Sequence, residues 1–180
     1  MSENIITPEF RVSYPQVLQP KLNDLNGKME YSVVALFPKG ADLKPLKAAA
    51  AAAAKEKWGD KLPANMRSPF RDQGEKEKDG ALPAGLEAGA IFINFKANQR
   101  PGLVDANVQP ILDASDFYAG CWARAQVRAF AYDQKGNKGV SFGLQNVQKM
   151  REGEPLGSRV RAEDAFEAVA GATEDAGGIF

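Results

Sequence analysis

The chain has 180 residues, 44% apolar and 26% charged, and no stretch of it approaches the ~18 consecutive apolar residues of a membrane span. It contains no histidine and one cysteine, Cys121, which excludes imidazole-based catalysis, Ser–His–Asp and Cys–His machinery, the usual zinc sites and an internal disulfide. The net charge of zero is uneven: five of the 23 acidic residues and none of the 23 basic ones follow Ala162, so residues 1–162 carry +5 and the remainder −5.

The first residues, Met1-Ser2-Glu3-Asn4, have neither a basic region nor an apolar run, so no secretory signal is expected. Together with the single thiol this predicts a reducing location, the cytoplasm of a bacterial host. Residues 9–18 alternate, with Phe10, Val12 and Tyr14 on one side and Arg11 and Ser13 on the other, which predicts a strand. Pro15 confines it to an edge or breaks it. Residues 21–27 read as a turn, and 28–37, rich in β-branched and aromatic residues, as a second strand ended by Pro38-Lys39-Gly40. Asp42 suits an N-cap. A helix is predicted over 43–58, driven by the seven alanines Ala48–Ala54 and stopped at Gly59.

Residues 60–89 are long, charged and irregular, the kind of segment that is functional or disordered inside a domain. A third strand at 90–97 puts Ile91, Ile93 and Phe95 toward a core and leaves Phe92, Asn94 and Lys96 outside. Residues 121–132 and 139–149 form a hairpin about Asp133–Lys138, with Gly136 and Asn137 suited to positive φ. On the second arm Phe142 and Leu144 share a core face. Residues 163–180 have too few large apolar side chains to fold alone. The prediction is an all-β domain with one helix, a β-barrel of the OB type, over residues 1–157, followed by an acidic, disordered tail over 158–180.

The strand at 121–132 carries the functional argument. One face is Cys121, Ala123, Ala125, Val127, Ala129 and Ala131, small and apolar. The other is Trp122, Arg124, Gln126, Arg128, Phe130 and Tyr132. Aromatic rings interleaved with arginine match a single-stranded nucleic-acid platform, where bases stack on rings regardless of identity and guanidinium groups take phosphates. The alternative is that these rings lie under the helix or a loop while the arginines reach outward. Phe92 and Lys96 extend the outer face. Arg67, Phe70 and Arg71 form either a basic–aromatic clamp or a packing loop with one anchor ring.

The tail ends Glu174-Asp175-Ala176-Gly177-Gly178-Ile179-Phe180. Glu174, Asp175, Ile179 and Phe180 suit a basic pocket on a replication or recombination protein, or a return onto the chain's own basic surface. Asp105, Asp113 and Asp116 raise the rival reading of a metal-dependent nuclease, but they lie among Asn and Pro, where Asp usually makes turns. Non-catalytic binding without cofactor or metal is therefore expected. Two further rivals are an annealing or recombination-mediator protein and a phage structural or protein-interaction module, since aromatics and arginine also favour protein interfaces.

Several stretches carry a resemblance: Arg11-Val12-Ser13-Tyr14-Pro15, Leu36-Phe37-Pro38-Lys39, Ser68-Pro69-Phe70-Arg71-Asp72, Tyr118-Ala119-Gly120-Cys121, Gly136-Asn137-Lys138-Gly139-Val140 running on to Gly143-Leu144-Gln145-Asn146-Val147-Gln148, and Gly153-Glu154-Pro155-Leu156-Gly157. Over residues 9–157 the chain resembles a phage single-stranded DNA-binding protein family, formerly a domain of unknown function. The resemblance implies an OB fold and sequence-independent binding of single strands in phage replication or recombination. It leaves homo-oligomerisation open, and the long Gln/Gly/Pro linker of bacterial single-strand binders is missing.

Overall fold

The computed structural model describes residues 3–24, 27–156 and 166–169. The tail residues Glu174, Asp175, Ile179 and Phe180 lie outside them. Among the described residues no helix is long and apolar enough to cross a membrane.

The strands are β1 (Asn4–Ile6), β2 (Phe10–Asn23), β3 (Lys28–Leu36), β4 (Arg71–Asp72), β5 (Ile91–Ala97), β6 (Gly102–Val104), β7 (Trp122–Gln134) and β8 (Asn137–Arg151), with one α-helix, α1 (Lys44–Trp58), between β3 and β4. The expected strands are all present. The three short ones, β1, β4 and β6, carry no period long enough to read.

Five strands close a ring in the order β2–β3–β5–β8–β7, with β7 returning to β2. β5 and β8 run parallel and the other ring pairs antiparallel. This is the five-stranded, self-closing arrangement of the OB type. β1 extends the edge of β7, β4 pairs β5 where β8 diverges from it, and β6 lies parallel to β8.

Period two explains the interior. Cys121, Ala123, Ala125, Val127 and Ala129 of β7 all point inward and are buried, and burial pushes the Cys121 thiol up. Phe10, Phe37, Phe95 and Phe142 meet edge to face inside the ring, with centroids 5.5 Å apart for Phe10–Phe37, 5.9 Å for Phe10–Phe95 and 6.0 Å for Phe95–Phe142.

Helix α1 turns Leu46, Ala50, Ala53 and Ala54 toward the core and packs on β7 and β8. The methyl side chains allow that close approach. Asp42 Oδ1 accepts the Lys44 N–H at 3.1 Å, and Gly59, at φ +62°, donates to the Lys55 carbonyl and ends the helix. In the β7–β8 turn the positive φ values fall on Lys135 (50°) and Gly136 (82°), one position earlier than expected. Both strands are longer than their apolar runs, so the turn has only two residues, and a two-residue hairpin turn demands left-handed backbone at both.

Candidate nucleic-acid interface

The outer face of β7 presents Trp122, Arg124, Gln126, Arg128, Phe130 and Tyr132, as the alternation requires. Strand register then decides which other side chains join them. Arg128 stands opposite Gly143 of β8, Gly143 beside Lys96 of β5, Lys96 opposite Ser32 of β3, and Ser32 opposite Gln16 of β2. These residues form one outward row around the ring. The side chains of Arg128 and Lys96 are exposed and make no ion pair or hydrogen bond among the described residues.

Phe130, 44% exposed, follows two residues along β7, and its ring edge lies 3.9 Å from where a Cβ on Gly143 would be. The missing side chain of Gly143 thus leaves floor space beside the ring. Tyr132 pairs with Gly139, where a Cβ would come within 2.7 Å of the tyrosine hydroxyl and of the Arg67 carbonyl. Arg67 reaches this position because its N–H donates to the Lys138 carbonyl at 2.8 Å while its own carbonyl accepts the Val140 N–H at 3.1 Å. Arg67, Tyr132, Phe130, Arg128 and Lys96 therefore share one continuous outer stretch.

The remaining sequence-predicted residues lie elsewhere or are engaged. A second row runs Arg71–Phe92–Leu36–Arg11–Trp122–Arg151 through paired positions on β4, β5, β3, β2, β7 and β8. Trp122 lies between two guanidinium groups, with Arg151 4.4 Å and Arg11 5.9 Å from its ring centroid. Arg151 is held by Glu9 at 2.8 Å, and Arg11 donates to the carbonyls of Gly120 and Glu154. At ~3.3 Å per residue Trp122 stands roughly 26 Å along the strand from Phe130.

Phe92 is on the outer side of β5, as expected, but it is only 3% exposed, so its ring offers no open face to a base. Arg71 and Lys76 lie 5.2 and 5.1 Å from its centroid. The covering segment is fixed by Gln73, whose buried amide donates to the carbonyls of Phe37 and Ile91. Asp72 adds to it by accepting N–H bonds from Gly89 and Gly74, which hold its carboxyl below the usual range. Arg71 also pairs with Glu75 at 2.7 Å. Phe70 is half-buried with its ring 5.9 Å from Phe142, which makes it the anchor of a packing loop. Arg124 donates from Nε to Gln148 at 2.8 Å.

Tyr14 was expected on the core side with Phe10 and Val12, yet it is 75% exposed. β2 is irregular between Ser13 and Gln16, and Tyr14 has φ +43° there. The signal in the sequence is Pro15, which marks the break but not the direction the ring takes. Ser32, Gln16 and Asn94 also line the open stretch and carry no sequence signature.

The carboxylates of the nuclease reading face their own loops. Asp105 accepts the N–H groups of Asn107 and Gln109, and Asp113 accepts the N–H and hydroxyl of Ser115, which hold its carboxyl low. Among the described residues no three His, Cys, Asp or Glu side chains gather into a metal-binding group.

Residues 3–177 match the model of the family described as Enterobacter phage Enc34, ssDNA-binding protein. The fold is that of the single-stranded DNA-binding protein of bacteriophage Enc34 solved in complex with ssDNA (TM-score 0.71, 21% identity, 86% of this chain and 89% of that one). A second structure of the Enc34 protein matches at TM-score 0.67 and 22% identity, over 91% of this chain and 90% of that one. Gp2.5 of bacteriophage T7, a single-stranded DNA-binding protein, is similar at TM-score 0.58 and 16% identity, over 89% of this chain and 98% of its own. None of the curated proteins matches.

Proposed function

The chain belongs to the Enc34 phage single-stranded DNA-binding protein family, and on that premise we propose that it binds single-stranded DNA without reading its sequence, holding the strand unpaired during phage replication and recombination. The observation that carries this reading is the outward row in which Arg128 and Lys96, free of carboxylate partners among the described residues, flank the exposed ring of Phe130. Free cations take phosphates, and a ring open to solvent takes any base. OB-type domains bind oligonucleotides on the second and third ring strands, between the first and last hairpins. Those strands here are β3 and β5, and Arg67 and Tyr132 stand at the last hairpin. The reading is non-catalytic, because the row holds cations, rings and amides but no carboxylate placed to hold a metal or move a proton.

Binding is tested by anisotropy of a labelled oligo-dT at low and high salt, repeated with duplex DNA. The expected result is preference for the single strand and an affinity that falls steeply as salt rises, through counterion release. Equal binding to duplex, or no binding at low salt even with the tail removed, would move the weight to a protein-interaction module.

The tail belongs to the same proposal. Its five acidic residues and its Ile179-Phe180 end suit a basic pocket on a replication or recombination protein, and its charge opposes that of the body. Truncation after Ala162 is expected to tighten oligo-dT binding at low salt. Unchanged or weaker binding by the truncated chain would leave the tail as a recruiting segment that does not compete for the DNA surface.

A further inference from the structure

Tyr14 combines features that folding alone does not favour. Its φ of +43° lies in the left-handed region, which bulky residues seldom occupy. Its ring is 75% exposed and makes no hydrogen bond or ring contact among the described residues. The cause is local: between the pairs Ser13–Val34 and Gln16–Ser32, β2 places two residues, Tyr14 and Pro15, against Val33 alone. Strict alternation would have sent Tyr14 inward beside Phe10 and Val12, and the extra residue turns it out. Bulges re-aim side chains in this way, and strained backbone of this kind gathers at working surfaces.

The position of the bulge supplies the second observation. Gln16 and Ser32, which close the bulge on one side, are the last members of the row that runs through Lys96 and Gly143 to Arg128. An unpartnered aromatic ring thus stands at one end of the row, and the exposed Phe130 stands at the other.

We propose that Tyr14 is a base-stacking residue, aimed by its bulge at a single strand whose phosphates lie along Lys96 and Arg128. The proposal rests on the single-strand reading above and adds a contact absent from the sequence-derived set. Stacking requires the ring and not the hydroxyl, and glycine is at ease at positive φ. The replacement that relieves the backbone is therefore also the one that removes the contact.

The test uses the full chain with Tyr14→Gly and Tyr14→Phe, each measured by oligo-dT anisotropy and thermal melting. Tyr14→Gly is expected to hold Tm or raise it by a few degrees while weakening oligo-dT binding roughly 5- to 150-fold. Tyr14→Phe is expected to bind as the parent does. The proposal is overturned if Tyr14→Gly binds like the parent, if its Tm falls in step with its affinity (a ring that braces the fold), or if Tyr14→Phe loses as much as Tyr14→Gly. A parent chain that fails to bind oligo-dT would remove the single-strand reading itself, and this assignment with it. A parent that binds while Tyr14→Gly matches it would remove this assignment alone.

Discussion

Replacing both Arg128 and Lys96 with alanine is expected to weaken oligo-dT binding roughly a hundredfold at low salt, from about 1.5 kcal/mol for each charge-assisted phosphate contact. The slope of log affinity against log salt should become shallower by roughly two, since each lost phosphate contact releases about one counterion fewer. Both side chains are exposed and unpaired among the described residues, so Tm should stay close to that of the parent. Anisotropy over a salt series measures both quantities. A large loss of affinity with an unchanged slope would mean that these side chains do not meet phosphates. Unchanged affinity would place the binding surface elsewhere on the ring.

The choice of Arg128 and Lys96 shows how far local pattern reaches. Alternation along residues 121–132 assigns every side chain of β7 to its face, because one wall of a closed sheet must be apolar at every second position. The hairpin partner, the helix and the core phenylalanines follow from equally local signals. Alternation cannot say which outward residues of different strands stand together. Lys96 meets Arg128 only through Gly143, across a parallel pairing of β5 with β8, and Trp122 meets Arg11 only through the pairing of β7 with β2. Those registers join residues far apart in the chain and leave no local trace.

The same limit explains Phe92 and Tyr14. Phe92 reads as an outward aromatic and is one, but a segment beginning some twenty residues earlier folds over it and places two cations on its ring. A bulge is a departure from the period by which strands are recognised, so a ring turned out by one is assigned to the wrong side. The surface of the candidate site is legible in composition, as arginine mixed with aromatics. Its membership depends on tertiary register.

Trp122 separates the two accounts of that surface. From the strand alone it is a stacking ring equal to Phe130. In the fold it lies between Arg11 and Arg151, in the row that joins the start of β7 to β2 and β8 and to the chain segment after β8. Trp122→Ala should therefore cost stability of about 3 kcal/mol, through lost packing and two lost cation–π contacts, and lower Tm by roughly 6–12 °C. At a temperature where the variant is folded, its oligo-dT affinity should stay within about twofold of the parent, because a contact outside the binding row contributes little to binding. Phe130→Ala should behave oppositely, with little change in Tm and an affinity lower by about 1–3 kcal/mol, the worth of one stacked base. If instead Trp122→Ala kept its Tm and lost its affinity, the strand would have to run along β7 over both aromatic ends rather than across the sheet. The guanidinium pair over Trp122 would then be a phosphate site with the indole beneath it, and Arg11 and Arg151 would have to give up their present partners when DNA binds.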